Sequence, residues 1–322
     1  MKQILVSGAT GFVGSHMIDY ILNNHPEIDL IVGSKRRRSD ENNIKHLLHN
    51  PKVKLIDVDL EDSKSTDNIF LTFGKFDKCF HLAAQSFVKL SFDSPTETLI
   101  TNIIGTLNIL ESIRKFNLEC IIQIAASSEE YGEQTFSPII ESAPLNPLSP
   151  YAVSKVAQEK LAYQYHKSYK IKSVITRTFN HEGPRRGEVF VTSVFAKQIA
   201  EIEKGLKEPV IIHGNLDSYR DYTDVRDVVK AYWMATEKCA YGEPYNICSG
   251  NCIKIDDMLN FMIKNSTKKN IKKILDESKL RPSDFTKLEG DNTKFVEATG
   301  WKPTISTEQM FLDILNYWRE RV

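Results

Sequence analysis

The sequence predicts an α/β protein, a Rossmann-type doubly wound parallel sheet with a smaller mixed α/β lobe, and three observations carry that prediction. Short apolar runs near residues 4–6, 30–33, 53–58, 78–83, 120–125 and 173–178 alternate with helical patterns, including Thr98–Lys115 and Tyr151–Tyr169. Glycines at 8, 11 and 14 stand between the first apolar run and the first helical pattern. After Asn180 the rhythm breaks into mixed segments, with Pro184, Pro209, Pro244, Pro282 and Pro303 in the connections. The domains therefore read as 1–179 for the sheet and mainly 180–322 for the second lobe, with segments around 210–240 returning to the first.

The first strand, Ile4-Leu5-Val6, is apolar on both faces, as a buried parallel strand requires. Ser7-Gly8-Ala9-Thr10-Gly11-Phe12-Val13-Gly14 follows at once. Glycines at these spacings permit a tight turn, close approach of backbone to a pyrophosphate, and close packing of helix on strand. The helix that follows offers free N–H groups and a positive dipole end to phosphates. A dinucleotide site is expected here.

The second strand, Leu30-Ile31-Val32-Gly33, decides which dinucleotide. A carboxylate at its end would suit the ribose hydroxyls of NAD, and a cation the 2′-phosphate of NADP. It runs into Ser34-Lys35-Arg36-Arg37-Arg38, with no acid before Asp40, which favours NADP over NAD. The third strand ends at Asp59-Leu60, an acid placed to meet adenine.

Chemistry is carried by Ser149-Pro150-Tyr151-Ala152-Val153-Ser154-Lys155. Pro150 suits a first helical turn, and residues four apart then share a helix face. A neighbouring ammonium stabilises phenolate, so Lys155 is expected to lower the Tyr151 pKa. Taken alone, such a pair is an ordinary helix surface; the fold around it gives it meaning. Ligands in these sheets bind beyond the carboxyl ends of the strands. Ser127, Ser128 and Glu129 follow the run Ile121–Ala126 and would face the same crevice. A serine hydroxyl can assist the tyrosine at a substrate oxygen. A carboxylate such as Glu129 could remove a proton beside a newly formed ketone, for which a simple redox site has no use.

Global features agree with a soluble, cytoplasmic enzyme. The 42 basic residues balance 42 acidic ones, so nothing points to nucleic acid or a membrane surface. No apolar run approaches a membrane span. The five cysteines show no CxxC pairing and read as buried free thiols, and no metal is expected.

These motifs together resemble the extended short-chain dehydrogenase/reductases acting on nucleotide sugars, and within them GDP-mannose 4,6-dehydratase and its reductase relatives. The resemblance rests on the glycine turn, Leu82-Ala83-Ala84-Gln85-Ser86, Ser127-Ser128-Glu129-Glu130-Tyr131-Gly132 and Tyr151 with Lys155. It continues through Phe179–Thr192, Gly214–Asp221, Leu280–Asp284 and Gly300–Pro303, nearly the whole chain.

The resemblance implies roles. Tyr151 would take the C4 hydroxyl proton as NADP takes the C4 hydride, with Lys155 tuning it and holding the nicotinamide ribose. Ser127, where dehydratases usually carry Thr, would assist at O4. Glu129 would take the C5 proton and help expel the C6 hydroxyl. The hydride then returns to C6, giving a 4-keto-6-deoxy sugar. Gly8, Thr10, Gly11, Phe12, Val13, Gly14, Arg36, Arg37, Asp59, Leu60, Leu82, Ala83, Ala84, Ser86, Lys155, His181 and Arg186 would hold the cofactor. Ser86, Ser128, Asn180, Val191, Lys197, Asn215, Arg220 and Arg281 would line the GDP-sugar pocket. GDP-mannose is the default substrate, with GDP-N-acetylglucosamine or a GDP-heptose as alternatives. The family also implies a homodimer or homotetramer, with the helices at 98–115 and 151–169 pairing between subunits. Tyr245–Gly250 and Asp291–Phe295 resemble the GDP-4-keto-6-deoxymannose reductases at least as much, so a reductase is the alternative activity. A non-catalytic NADP-sensing protein is the alternative of another class.

Overall fold

A computed structural model describes residues 1–280 and 286–322. The first half alternates as expected: β1 (Gln3–Ser7), α1 (Phe12–Asn24), β2 (Leu30–Lys35), β3 (Val53–Asp57), α2 (Ser63–Phe73) and β4 (Lys78–His81). Then come α3 (Val88–Asp93), α4 (Pro95–Leu99), α5 (Gly105–Phe116), β5 (Ile121–Ser127), α6 (Pro150–Tyr169) and β6 (Lys172–Thr178). The remainder comprises β7 (Asn180–Glu182), α7 (Val191–Glu203), β8 (Val210–His213), β9 (Tyr219–Asp224), α8 (Val225–Lys238) and β10 (Pro244–Ile247). It closes with β11 (Cys252–Lys254), α9 (Ile255–Lys264), β12 (Lys272–Leu275), β13 (Lys287–Leu288), α10 (Thr293–Thr299) and α11 (Thr307–Arg319).

Seven strands form a wholly parallel sheet in the order β10-β6-β5-β4-β1-β2-β3. Strand side chains alternate between faces, so Ile4 and Val6 enter the core under α1 and α8, while Leu5 enters the core under α2, α5 and α6. The strand order reverses between β1 and β4, and a crevice opens there beyond their carboxyl ends.

In the second lobe β9 is flanked by antiparallel β11 and parallel β7 and β13, and β8 pairs with β12. Helices α7, α9 and α11 bury Phe195, Ile199, Met258, Met262, Phe311 and Ile314 in a separate core. The first segment to return to the first lobe is Val225–Ile247 rather than 210–240, and Phe295 and Trp301 join its core later. β8 binds β12 in the second lobe, while Val225, Val228 and Trp233 of α8 pack against the sheet.

The helix expected over Thr98–Lys115 is interrupted. α4 gives way to a π turn at Ile100–Ile104 before α5 begins. Within that turn Asn102 points inward and donates to Ser154 Oγ at 2.8 Å and to the Gln85 carbonyl at 3.0 Å. The widened turn lets a buried amide satisfy two other segments. Among the described residues no helix is long and apolar enough to cross a membrane. Cys79, Cys120, Cys239 and Cys248 are buried free thiols, and Cys252 is half-buried.

Candidate active site

The glycine turn is as tight as its spacing implies. A Cβ on Gly14 would lie 2.1 Å from the Gly8 carbonyl oxygen, and one on Gly8 would meet Ala83 backbone at 2.9 Å. Gly8 also has φ +69°, a conformation open to glycine. Gly11 is the N-cap of α1 and offers no side-chain cap, so the first N–H groups of the helix remain available to phosphate oxygens. Ser7 Oγ accepts the N–H groups of Leu82 and Ala83 at 3.0 and 3.1 Å, which pins the loop after β4 beside the turn. These residues fit a dinucleotide.

The basic loop is partly occupied by its own protein. Arg36 bonds to Glu61 at 3.1 Å and Thr101 at 2.9 Å and lies 3.9 Å from Glu97. Lys35 is paired with Asp57 and Glu41. Arg37 and Arg38 are exposed, and so is Asp59, which accepts the Glu61 N–H. Leu60 offers its carbonyl to Asn108 at 2.7 Å and packs close to Gly105.

Tyr151 and Lys155 lie on one face of α6, whose start is fixed by Pro150 and by Ser149 Oγ accepting the Ala152 N–H. Ser127 at the end of β5 and Glu129 in the turn after it both lie close enough to the Tyr151 hydroxyl to act on its titration, Ser127 lowering it and Glu129 raising it. Ser127, Glu129, Tyr151 and Lys155 are thus brought together. Ser128, next in the chain, is buried.

The expected effect of Lys155 on Tyr151 is not what the geometry delivers. Burial raises the Tyr151 pKa above its ordinary value, opposed by the Ser127 hydroxyl and by the Arg186 guanidinium. Lys155 stands 5.7 Å from the Tyr151 ring centre, and its Nζ donates to the Ala125 carbonyl at 2.7 Å. Desolvation lowers its own pKa to about 8.

Arg186 is largely buried between aromatic rings, 3.5 Å from the Phe190 ring centre and 4.9 Å from that of Phe12. Its Nε lies 3.4 Å from Glu182. His181 on β7 stacks parallel to Phe12, with centroids 6.0 Å apart, and burial lowers its pKa to about 4. This contact ties the second lobe to the cofactor turn. Asn180 precedes it on β7, and Val191 opens α7.

The other pocket residues are more dispersed. Lys197 is paired with Glu188 and lies beside the Trp318 ring. Asn215 donates to Ser218 and holds the loop before β9, where buried Arg220 reaches the Tyr219 carbonyl. Ser86 is exposed in the loop after β4. Arg281 lies outside the described residues.

Sequence reasoning missed the polar layer beneath the site. Arg177 forms a two-bond pair with Glu159 at 2.7 and 2.8 Å and donates to Tyr131 Oη at 2.9 Å. Buried His81 bridges Ser7 and Thr106 at 2.8 and 3.0 Å. The available signal was a lone arginine in the apolar strand Val174-Ile175-Thr176-Arg177, since buried charges need partners.

Known proteins are similar to this chain over nearly its full length. A GDP-6-deoxy-D-mannose reductase of Pseudomonas aeruginosa is 29% identical over 100% of this chain and 98% of its own. A putative UDP-glucose 4-epimerase of Methanocaldococcus jannaschii is 32% identical over 98% of each chain. A GDP-mannose 4,6-dehydratase of Vibrio cholerae is 31% identical over 98% of this chain and 93% of its own. The solved structure of RMD from Pseudomonas aeruginosa complexed with NADPH superposes with a TM-score of 0.86, at 29% identity and 100% coverage of both chains. Residues 5–314 match the family described as GDP-mannose 4,6 dehydratase, and the chain belongs to that family.

Proposed function

We propose that this protein is a GDP-sugar 4,6-dehydratase that binds NADP, with GDP-mannose as the default substrate. The observation that carries the reading is Glu129. It is a carboxylate within electrostatic reach of Tyr151, in the turn that Ser127 begins. Reduction at C4 calls for the tyrosine and serine alone; loss of water across C5 and C6 calls for a further base.

NADP⁺, when bound, supplies the reversible hydride acceptor that links C4 to C6. Tyr151 takes the C4 hydroxyl proton, and Ser127 orients O4. The resulting ketone acidifies C5, and Glu129 removes its proton. Glu129 then gives that proton to the departing C6 hydroxyl, which leaves as water, and the proton that Tyr151 took from O4 restores C5 as the hydride returns to C6. The sugar is oxidised at C4 and reduced at C6, so no external reductant is consumed. Arg37 and Arg38, exposed beside the paired Arg36, are suited to the 2′-phosphate of NADP.

A second reading, a GDP-4-keto-6-deoxymannose reductase, is favoured by the full-length similarity to the Pseudomonas reductase. The two separate in one experiment. Purified protein is incubated with GDP-mannose, GDP-N-acetylglucosamine and a GDP-heptose without added reductant, and product mass is followed. Loss of one water identifies the dehydratase and its sugar together. No loss, with NADPH oxidised only when a 4-keto-6-deoxy sugar is supplied, identifies the reductase.

A further inference from the structure

Glu130 is fully buried beneath Ser127, Tyr151 and Lys155. Its Oε1 accepts the Ser127 backbone N–H at 2.9 Å, while Ser127 Oγ caps the same turn. Its Oε2 receives no hydrogen bond, lies 3.9 Å from Arg177 Nε, and faces the Glu159 carboxyl. Both Glu159 oxygens are already held by Arg177, and Oε1 also by Lys160. The titratable groups around Glu130 are therefore Glu159, Lys155 and Tyr151 on α6, Arg177 on β6, and Tyr131 and Glu129 on its own turn.

Two buried carboxyls share one guanidinium here, and both cannot ionise cheaply. Arg177 grips Glu159 in a two-bond pair, so Glu159 keeps the charge and Glu130 keeps a proton. Burial and the Glu159 charge push the Glu130 carboxyl in that direction. The proton supplies what the geometry lacks, a donor on Oε2 directed at Glu159. Lys155 then has a neutral acid beside it rather than a carboxylate.

We infer that Glu130 is a positioning residue, a neutral acid whose carbonyl oxygen pins Ser127 against Tyr151 and whose proton locks it to Glu159. The inference rests on Tyr151 being the acid/base of the proposed reaction. It makes a specific demand on substitution. Glutamine reproduces both hydrogen bonds, with an oxygen for the Ser127 N–H and an NH₂ for Glu159. Leucine fills the space and reproduces neither.

The test compares Glu130→Gln and Glu130→Leu with the parent protein, NADP present. Two quantities are read: kcat and KM against pH, and the titration of Tyr151 by ¹³Cζ-tyrosine NMR, with Tyr151→Phe to assign the signal. Glu130→Gln is expected to keep kcat within about threefold and leave the Tyr151 titration in place. Glu130→Leu is expected to lose roughly 10- to 100-fold in kcat at unchanged KM. Its Tyr151 should titrate higher than in the parent, because the Ser127 hydroxyl beside it, which favours phenolate, is loosened. The inference is overturned if Glu130→Leu leaves the titration unmoved. It is equally overturned if Glu130→Gln moves it as far as leucine does, since a carboxylate charge would then be the active feature. Should the parent turn over no GDP-sugar, the titration still decides Glu130, and the failure falls on the proposed reaction instead.

Discussion

Lys155 Nζ donates to the Ala125 carbonyl at 2.7 Å while standing 5.7 Å from the centre of the Tyr151 ring, one helical turn away. The lysine is thus anchored to β5 rather than to the phenol. Its charge is held in a desolvated place at a cost to the fold.

That cost has a sign. A lysine lowered to about 8 binds fewer protons in the folded than in the unfolded chain between roughly pH 8 and 10. The penalty is fully present below pH 8 and is relieved as pH rises through that window. Lys155→Met should therefore raise Tm at pH 7 by a few degrees while cutting turnover at least about 100-fold. Thermal denaturation and steady-state kinetics on one preparation check both halves.

Glu129→Gln should abolish water loss yet preserve chemistry at C4. The variant is expected to retain hydride transfer from C4, read with a C4-deuterated sugar, while product mass shows no dehydration. Unchanged dehydration would remove Glu129 from the mechanism.

Gly14→Ala places a methyl 2.1 Å from a backbone oxygen, and the turn must open to admit it. NADP affinity, measured by calorimetry, should fall by at least about tenfold, because the N–H groups at the start of α1 lose their aim at the phosphates. By contrast, Gly74→Ala meets no atom within 4 Å, and its φ of +79° should cost stability while leaving NADP affinity as in the parent.

Arg177→Met should be among the most damaging changes away from the substrate. It strands a buried Glu159 carboxylate and removes a donor from Tyr131, for an expected loss of about 3–5 kcal/mol. Urea unfolding at pH 7 gives the value directly.

Acid should destabilise the protein through two buried, neutral histidines. Burial lowers His16 to about 4 and His81 to about 3. Each binds its proton more readily unfolded, so stability is lost as pH falls from about 6.5 toward those values. His16 alone accounts for on the order of 3 kcal/mol over that window. Urea midpoints at pH 7 and pH 4.5 should differ accordingly, and His16→Gln should show a smaller difference.

What could be read from the sequence was whatever is local. The glycine turn, the first strands, and the Tyr151–Lys155 face depend on residues within one or two turns of chain. Ser127 and Glu129 became legible once strand ends were known to share a crevice. The pairing of Arg36 was not legible, because its partners Glu61, Glu97 and Thr101 come from three later segments. The π turn escaped notice for a similar reason: Asn102 is drawn inward by Ser154 and Gln85, and no local propensity announces that. Nothing local separates Glu130 from Glu129, yet the two neighbours occupy different environments, one close to Tyr151 and one fully buried against Glu159 and Arg177.

The backbone also shuttles. From Asn180 onward it builds part of the second lobe and returns as α8 and β10. It leaves again for β11 to β13, returns with Phe295 and Trp301, and ends on α7 through α11. No single cut yields a complete half. Recombination between relatives could not exchange the second lobe as a cassette, because any contiguous graft would carry away a strand or helix that the seven-stranded sheet needs. A change of specificity in this architecture has to arise by point substitution in place.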